Sequence, residues 1–465
     1  MIFSSLVFIF AFLPLSLIIF HLTPKKAKKY TLLALSGIFC ISHGVGFFAF
    51  AAAYTLLNYI AGIICGAFQK RRSISGAAAA VSIAADIFIL LIFRRDILPE
   101  ISAASSIMQL IVPVGISFMT LTAIGYILDI INGEISAEKN FISFSLYMLF
   151  FPKLPMGPIV SYRSFIRSLK HPSAGLDELG RGLSVFVKGL AKKVILADNV
   201  YMLFSAVRNT PADELTSLSA LLGVISFFFS MYFTLSGMSD MGAGLARCFG
   251  IRLPQSFRHP AASIGMYNFS QKWHTPVVSW FRKYVTGSVF AVTNNKLLRC
   301  AAIISAAVML GLWYRFSLNM LLCGIAVGTV LACEKVFPTA KMIKTTRMMY
   351  TYFMLCFGMV FFFSDSIVYT LRYFTGILSI NSGIADASSV YLFKTYAFVL
   401  LLSLIAAGGI HERIFNRIRK KRFSSLFELI FPLLTAGLLI LCTVEMSYSG
   451  SSEMTLPILK EVIRC

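Results

Sequence analysis

Apolar positions in this sequence come in long runs rather than in one-sided stripes. Phe3–Phe20, Leu218–Phe233, Ala301–Trp313 followed by Leu318–Cys333, Val390–Ala407 and Leu426–Cys442 carry few or no charges. Spanning the hydrocarbon core of a bilayer takes about 20 predominantly apolar residues. Backbone groups in lipid must pair within their own segment, so the runs predict helices. The stretch Met1–Phe20 has neither the basic n-region nor the small-residue cleavage site of a signal peptide, and is read as a first span.

Polar positions divide these runs. Basic residues cluster at Lys25, Lys26, Lys28 and Lys29, at Lys70, Arg71 and Arg72, at Lys341, Lys344 and Arg347, and at Arg417, Arg419, Lys420, Lys421 and Arg422. By the positive-inside rule these clusters face the cytoplasm. That placement predicts a hairpin of spans around His43–Gly46, a span over about residues 77–93 and another over about residues 108–131. Arg94 and Arg95 then fall on the opposite side, partly offset by Asp96 and Glu100.

Phe141–Leu154 is apolar but too short to cross, and it ends in Pro152, Pro155, Gly157 and Pro158. Such a stretch predicts a re-entrant segment, with a helix lying on the membrane surface as the alternative. Spans over about residues 181–206 and 217–236 come next, then a polar-rich stretch, a helical hairpin turning near Trp313–Arg315, and three more spans. The pattern predicts an all-α, polytopic transmembrane protein with about 11–12 crossings, folded as a single membrane-embedded domain over residues 1–465.

Composition sharpens this picture. Of 465 residues 57% are hydrophobic and 13% charged, about half the charge of a water-soluble domain. A soluble globular protein is excluded. The net charge of +22 is dispersed in short clusters between spans, with no continuous stripe that could track phosphates, so nucleic acid is not expected as a partner. The nine cysteines include no CxxC pair, and neither a metal centre nor a disulfide framework is expected.

Candidate chemistry lies where polar residues interrupt apolar runs. Ser236, Ser239 and Asp240 do so beside Gly237, Gly242 and Gly244; helix packing through small residues, with Asp240 paired to an arginine, is the alternative reading. The stretch 247–300 carries eight basic residues and no acidic one. Within it lie Asn268, Trp273 and His274, with Trp280 and Arg282 just beyond. Of the six histidines, His21, His43 and His411 read as interfacial, and His171 and His259 precede prolines in loops. Residue type alone leaves His274 open between a structural and a catalytic role.

Several stretches in order resemble the membrane-bound O-acyltransferase (MBOAT) family, in the branch of alginate O-acetyltransferases and D-alanyl-lipoteichoic acid acyltransferases. They are the opening Met1–Phe8, the Gly157-Pro158-Ile159 turn with Tyr162-Arg163, and the run Gly189–Asp198. Tyr232–Gly244, Lys272-Trp273-His274 with Trp280-Phe281-Arg282, and Phe361–Asp365 with Tyr373 complete the set. The resemblance covers nearly the whole chain.

It implies the MBOAT fold in a bacterial cytoplasmic membrane. It also implies transfer of an acyl group, usually acetyl, to hydroxyls of a cell-surface polymer. The donor, acetyl-CoA or a carrier-linked acyl group, would be a substrate rather than a bound cofactor. A partner acyl-transfer protein outside the membrane would complete the pathway. Asp240, Ser236, Asn268, Trp273 and Trp313 are the implied funnel residues.

Two departures qualify the resemblance. The family's catalytic histidine comes directly after a Leu-Trp pair, but here the stretch reads Leu310-Gly311-Leu312-Trp313-Tyr314-Arg315. Tyr314 stands at the histidine position, and no histidine occurs between His274 and His411. The Pro-Leu-Gly-Gly-Asn turn of the family is replaced by Tyr284–Thr293. His274 is then the remaining candidate base. The alternative function is a catalytically impaired relative that binds or scaffolds in a cell-envelope polymer assembly.

Overall fold

The computed structural model describes residues 2–93, 115–170, 172, 175–336, 343–379, 383–409 and 424–449. Arg94, Arg95, His171, His411 and the Arg417–Arg422 cluster lie outside the described residues. All regular structure among the described residues is helical. In chain order the helices are α1 (Leu13–Leu22), α2 (Lys28–Ile41), α3 (Val45–Ala67), α4 (Arg72–Phe93), α5 (Ile116–Ile131), α6 (Phe141–Leu149), α7 (Tyr162–Lys170), α8 (Leu176–Ala191) and α9 (Asp198–Arg208). After them come α10 (Ser217–Cys248), α11 (Met266–Lys272), α12 (Thr275–Phe281), α13 (Gly287–Val292), α14 (Lys296–Tyr314) and α15 (Leu318–Val336). The last four are α16 (Lys344–Phe363), α17 (Ile367–Ile377), α18 (Ala387–Ala407) and α19 (Ser424–Ser449). Wider π turns at Phe8–Phe12, Lys192–Ala197 and Arg282–Thr286 lead into α1, join α8 to α9, and join α12 to α13.

Eight described helices are long and apolar enough to cross a membrane: α3, α4, α10, α14, α15, α16, α18 and α19. They coincide with apolar runs in the sequence. Shorter apolar helices occupy Phe8–Leu22, Ile116–Ile131 and Phe141–Lys153. The stretch expected to span over about residues 181–206 is helical throughout, with the π turn inside it, and carries Lys188, Lys192, Lys193 and Asp198. Lys193 and Asp198 pair with each other there.

Contacts gather the described residues into two units, one of Met1–Gly189 with Met238–Gln255, the other of Leu190–Gly237 with the described residues from Ser256 to Ser449. In the first, Phe144 through Pro158 are buried. The segment that includes α6 is therefore an interior element of its unit, not a helix resting on its surface. Gly115 makes this possible at one point. Its φ is +75°, and a Cβ there would lie 1.8 Å from the Leu154 carbonyl oxygen, so only glycine lets the backbones meet.

In the second unit α14 and α15 form the expected hairpin around Arg315–Ser317. Gly311, Gly324 and Gly328 lie along its seam, where added Cβ atoms would come within 2.9 Å of the facing backbone. Small residues at a crossing let two helices approach closely and gain contact along their length. This hairpin carries Tyr314 at the C-terminal end of its first helix.

Candidate functional site

The residues that prepare the site lie in the polar-rich stretch before α14. Glu334 on α15 accepts the backbone N–H groups of Met266 and Tyr267, at 2.9 and 2.7 Å, and so caps the start of α11. The Gly265 N–H donates to Thr351 Oγ1 on α16 at 2.9 Å. Beyond α11 the chain must turn sharply, and His274 takes the turn with φ 41° and ψ 50°. A left-handed backbone at a non-glycine residue costs on the order of 1–3 kcal/mol and persists only where surrounding structure enforces it. Here the Thr275 N–H donates to the Ser256 carbonyl at 2.7 Å, and the His274 carbonyl accepts from Val277 and Val278. The result sends the imidazole inward, stacked on Phe257 with ring centres 5.5 Å apart.

Tyr314 meets it from α14. Its hydroxyl lies 2.7 Å from His274 Nδ1, with both side chains buried. The Trp273 indole N–H is directed at the same phenol oxygen. That oxygen, accepting from Trp273, keeps its own proton available to Nδ1 when the imidazole is the tautomer that carries hydrogen on Nε2. Burial pushes the His274 pKa down to about 3, so the ring is neutral in any physiological medium.

Bonds just past the end of α14 hold Tyr314 in place. Arg315 donates to Asp365 at 3.2 Å, Arg208 reaches the other oxygen of that carboxylate, and Asn319 donates to the Ser364 carbonyl at 2.9 Å. Phe362 packs edge-on against the Tyr314 ring at 5.4 Å.

An apolar cavity of about 390 Å³ adjoins the pair, with Tyr314 and Trp273 in its wall. Met231, Gly358 and other apolar groups line most of it, while Arg282 and Lys335 add two cationic groups to the lining. A volume of this order is that of a small-molecule site. His274 is not a lining residue and stands behind Tyr314.

The sequence candidates thus divide. His274, Tyr314, Trp273 and Trp313 come together, Trp313 lying 6.1 Å from the His274 ring. Asn268 is exposed on α11 and outside the lining. Ser236 is buried on α10, also outside the lining, and Asp240 falls in the other unit. Glu334 was missed by sequence reasoning. Its signal is its position as the acidic residue of an otherwise apolar span, Leu318–Val336.

No family model matches the chain. Individual proteins do. A probable alginate O-acetylase of Azotobacter vinelandii is 28% identical over 89% of this chain and 85% of its own length. A peptidoglycan O-acetyltransferase of Helicobacter pylori is 23% identical over 82% of this chain and 80% of its own. A teichoic acid D-alanyltransferase of Bacillus subtilis is 24% identical over 53% of this chain and 68% of its own. On an all-helical membrane fold, the chain is thus similar over most of its length to O-acetylating proteins named for alginate and peptidoglycan, and over about half of it to a D-alanyltransferase named for teichoic acid.

Proposed function

We propose that this protein transfers an acyl group, acetyl in the simplest case, to hydroxyls of a cell-envelope polymer. The observation that carries the reading is the Tyr314 hydroxyl, set in the cavity wall and hydrogen-bonded to a neutral His274. The relatives named above differ in polymer and in acyl group, and acyl transfer to an envelope polymer is what their names share. The donor is an activated acyl group, acetyl-CoA or a carrier-linked acyl, and a partner protein outside the membrane presents or receives the product.

In this mechanism the acceptor oxygen attacks the acyl carbonyl and its proton passes to the Tyr314 oxygen. Tyr314 releases its own proton to His274 Nδ1 in the same movement. The leaving group departs with the bonding pair and takes a proton from the Tyr314 hydroxyl, which recovers its own from the imidazolium, so charge and protons balance. Tyrosine alone, with an ordinary pKa of about 10, is a poor base, and the imidazole behind it supplies the sink. The burial that keeps His274 neutral also weakens it as a base, and general-base catalysis is most effective near the working pH. Turnover is accordingly slow.

That weakness favours a second reading. A family member with tyrosine at the histidine position, and its remaining imidazole out of the cavity wall, serves as a binding or scaffold component of a polymer assembly. Ester-linked acetate on purified cell-surface polymer separates the two. In a deletion strain, wild type restores acetate and His274→Ala does not if the dyad is catalytic. Absence of acetate with wild-type protein present in the membrane leaves the binding role.

A further inference from the structure

Far along the sequence from the dyad, in the first unit, three helices turn polar side chains toward one another. Tyr54 and Asn58 lie one turn apart on α3, Ser82 and Asp86 one turn apart on α4, and Thr120 on α5. Residues four apart share a helix face, and these three helices pack pairwise. The five side chains are 2%, 0%, 6%, 0% and 1% exposed, in that order. α3 and α4 are both membrane-crossing helices, where an ionisable residue is costly and marks function.

One side-chain bond links the group. The Asn58 amide donates to Asp86 Oδ1 at 3.0 Å and also to the Tyr54 carbonyl at 3.2 Å. The Tyr54 hydroxyl faces Thr120, Asp86 and Asn58 in weak polar contacts that fall short of ordinary hydrogen-bond geometry. Asp86 Oδ2, Asn58 Oδ1, Tyr54 Oη, Ser82 Oγ and Thr120 Oγ1 are all buried and unbonded. Among the described residues no lysine, arginine or histidine pairs with Asp86. Buried polar atoms are nearly always satisfied, and a group left over points to an ion or water. Five oxygens with a single carboxylate among them suit a hard cation of low charge.

We propose that Tyr54, Asn58, Ser82, Asp86 and Thr120 form a binding site for a small monovalent cation between α3, α4 and α5. The cation offsets the carboxylate charge and ties the three helices together through oxygens that have no other bond. It acts on the stability of this unit and takes no part in acyl transfer.

The test uses the full chain purified in detergent, with Na⁺ as probe. Thermal unfolding is measured in NaCl against choline chloride at equal ionic strength, over a titration of Na⁺. The expected result is a saturable rise in Tm with Na⁺ that Asp86→Asn abolishes. Thr120→Val and Ser82→Ala, which keep the carboxylate, raise the half-saturating Na⁺ roughly tenfold each, and Thr120→Ser restores it. Direct binding of radioactive ²²Na⁺ keeps the same order. Equal Tm in NaCl and choline chloride, with no ²²Na⁺ retained by the wild type, overturns the proposal and makes Asp86 a protonated donor within a hydrogen-bonded cluster.

Discussion

At Tyr314 the hydroxyl, rather than the ring, separates a catalyst from a packing residue. Tyr314→Phe keeps the contact with Phe362 and removes the bond to His274. If the dyad turns over, this change lowers acyl transfer by about 10² to 10⁴ while leaving the amount of folded protein in the membrane unchanged, as immunoblotting would show. The pH dependence carries a second signature. An ordinary histidine titrates near 6.5, but His274 stays neutral down to about 3 in the folded protein. The rate therefore shows no limb near pH 6.5. Stability behaves otherwise. Between about pH 6.5 and 3 the unfolded chain binds a proton at this site that the folded chain does not. The contribution is complete above 6.5 and lost as pH falls through that window. Comparing Tm from pH 7.5 to 5 in wild type and His274→Gln, the wild type falls more steeply. Both dyad residues could be singled out in the sequence, one by motif and one by elimination. Their contact could not, because it joins positions 40 apart through a left-handed turn that no local pattern signals. Asn268 shows the converse: proximity in sequence to His274 did not bring its side chain to the cavity.

At the scale of elements, the α14–α15 hairpin tests how closely two helices must pack. A Cβ on Gly324 would lie 2.6 Å from Val308 Cα, a backbone atom that cannot step aside. Gly324→Val should cost about 1–3 kcal/mol, as overpacking does, and register as a lowered Tm in detergent. Gly437→Ala on α19 is the control, since nothing lies within 4 Å of its added Cβ. The long helices were legible because a span writes its length directly into the apolar run. The short ones, α11, α12 and α13, were not. Each is seven residues or fewer, too short to show a period, and the starts of α11 and α12 are held by bonds to Glu334, Thr351 and Ser256 outside those helices.

Over the whole molecule, orientation is set by charge, and a single label can check it. Lys70→Cys, in a cysteine-free background, should resist a membrane-impermeant maleimide in intact cells and react once they are permeabilised, as the positive-inside rule requires. Fold class and the resemblance to polymer-modifying acyltransferases were readable in the sequence, because composition and ordered motifs survive low identity. The π turn within the stretch expected to span over about residues 181–206 was not, since a π turn leaves the local composition unchanged. That turn has a consequence for how the chain can change length. A π turn holds one residue more than the regular helix it interrupts, so removing one residue from Lys192–Ala197 leaves a plain helix with both flanks in register. The same deletion inside α14 would rotate everything beyond it by about 100°. Single-codon deletions scanned across the gene, scored by protein retained in the membrane, should be tolerated at the three π turns and purged from the uninterrupted spans. The extra residues mark the points where this chain can be shortened without being rewound.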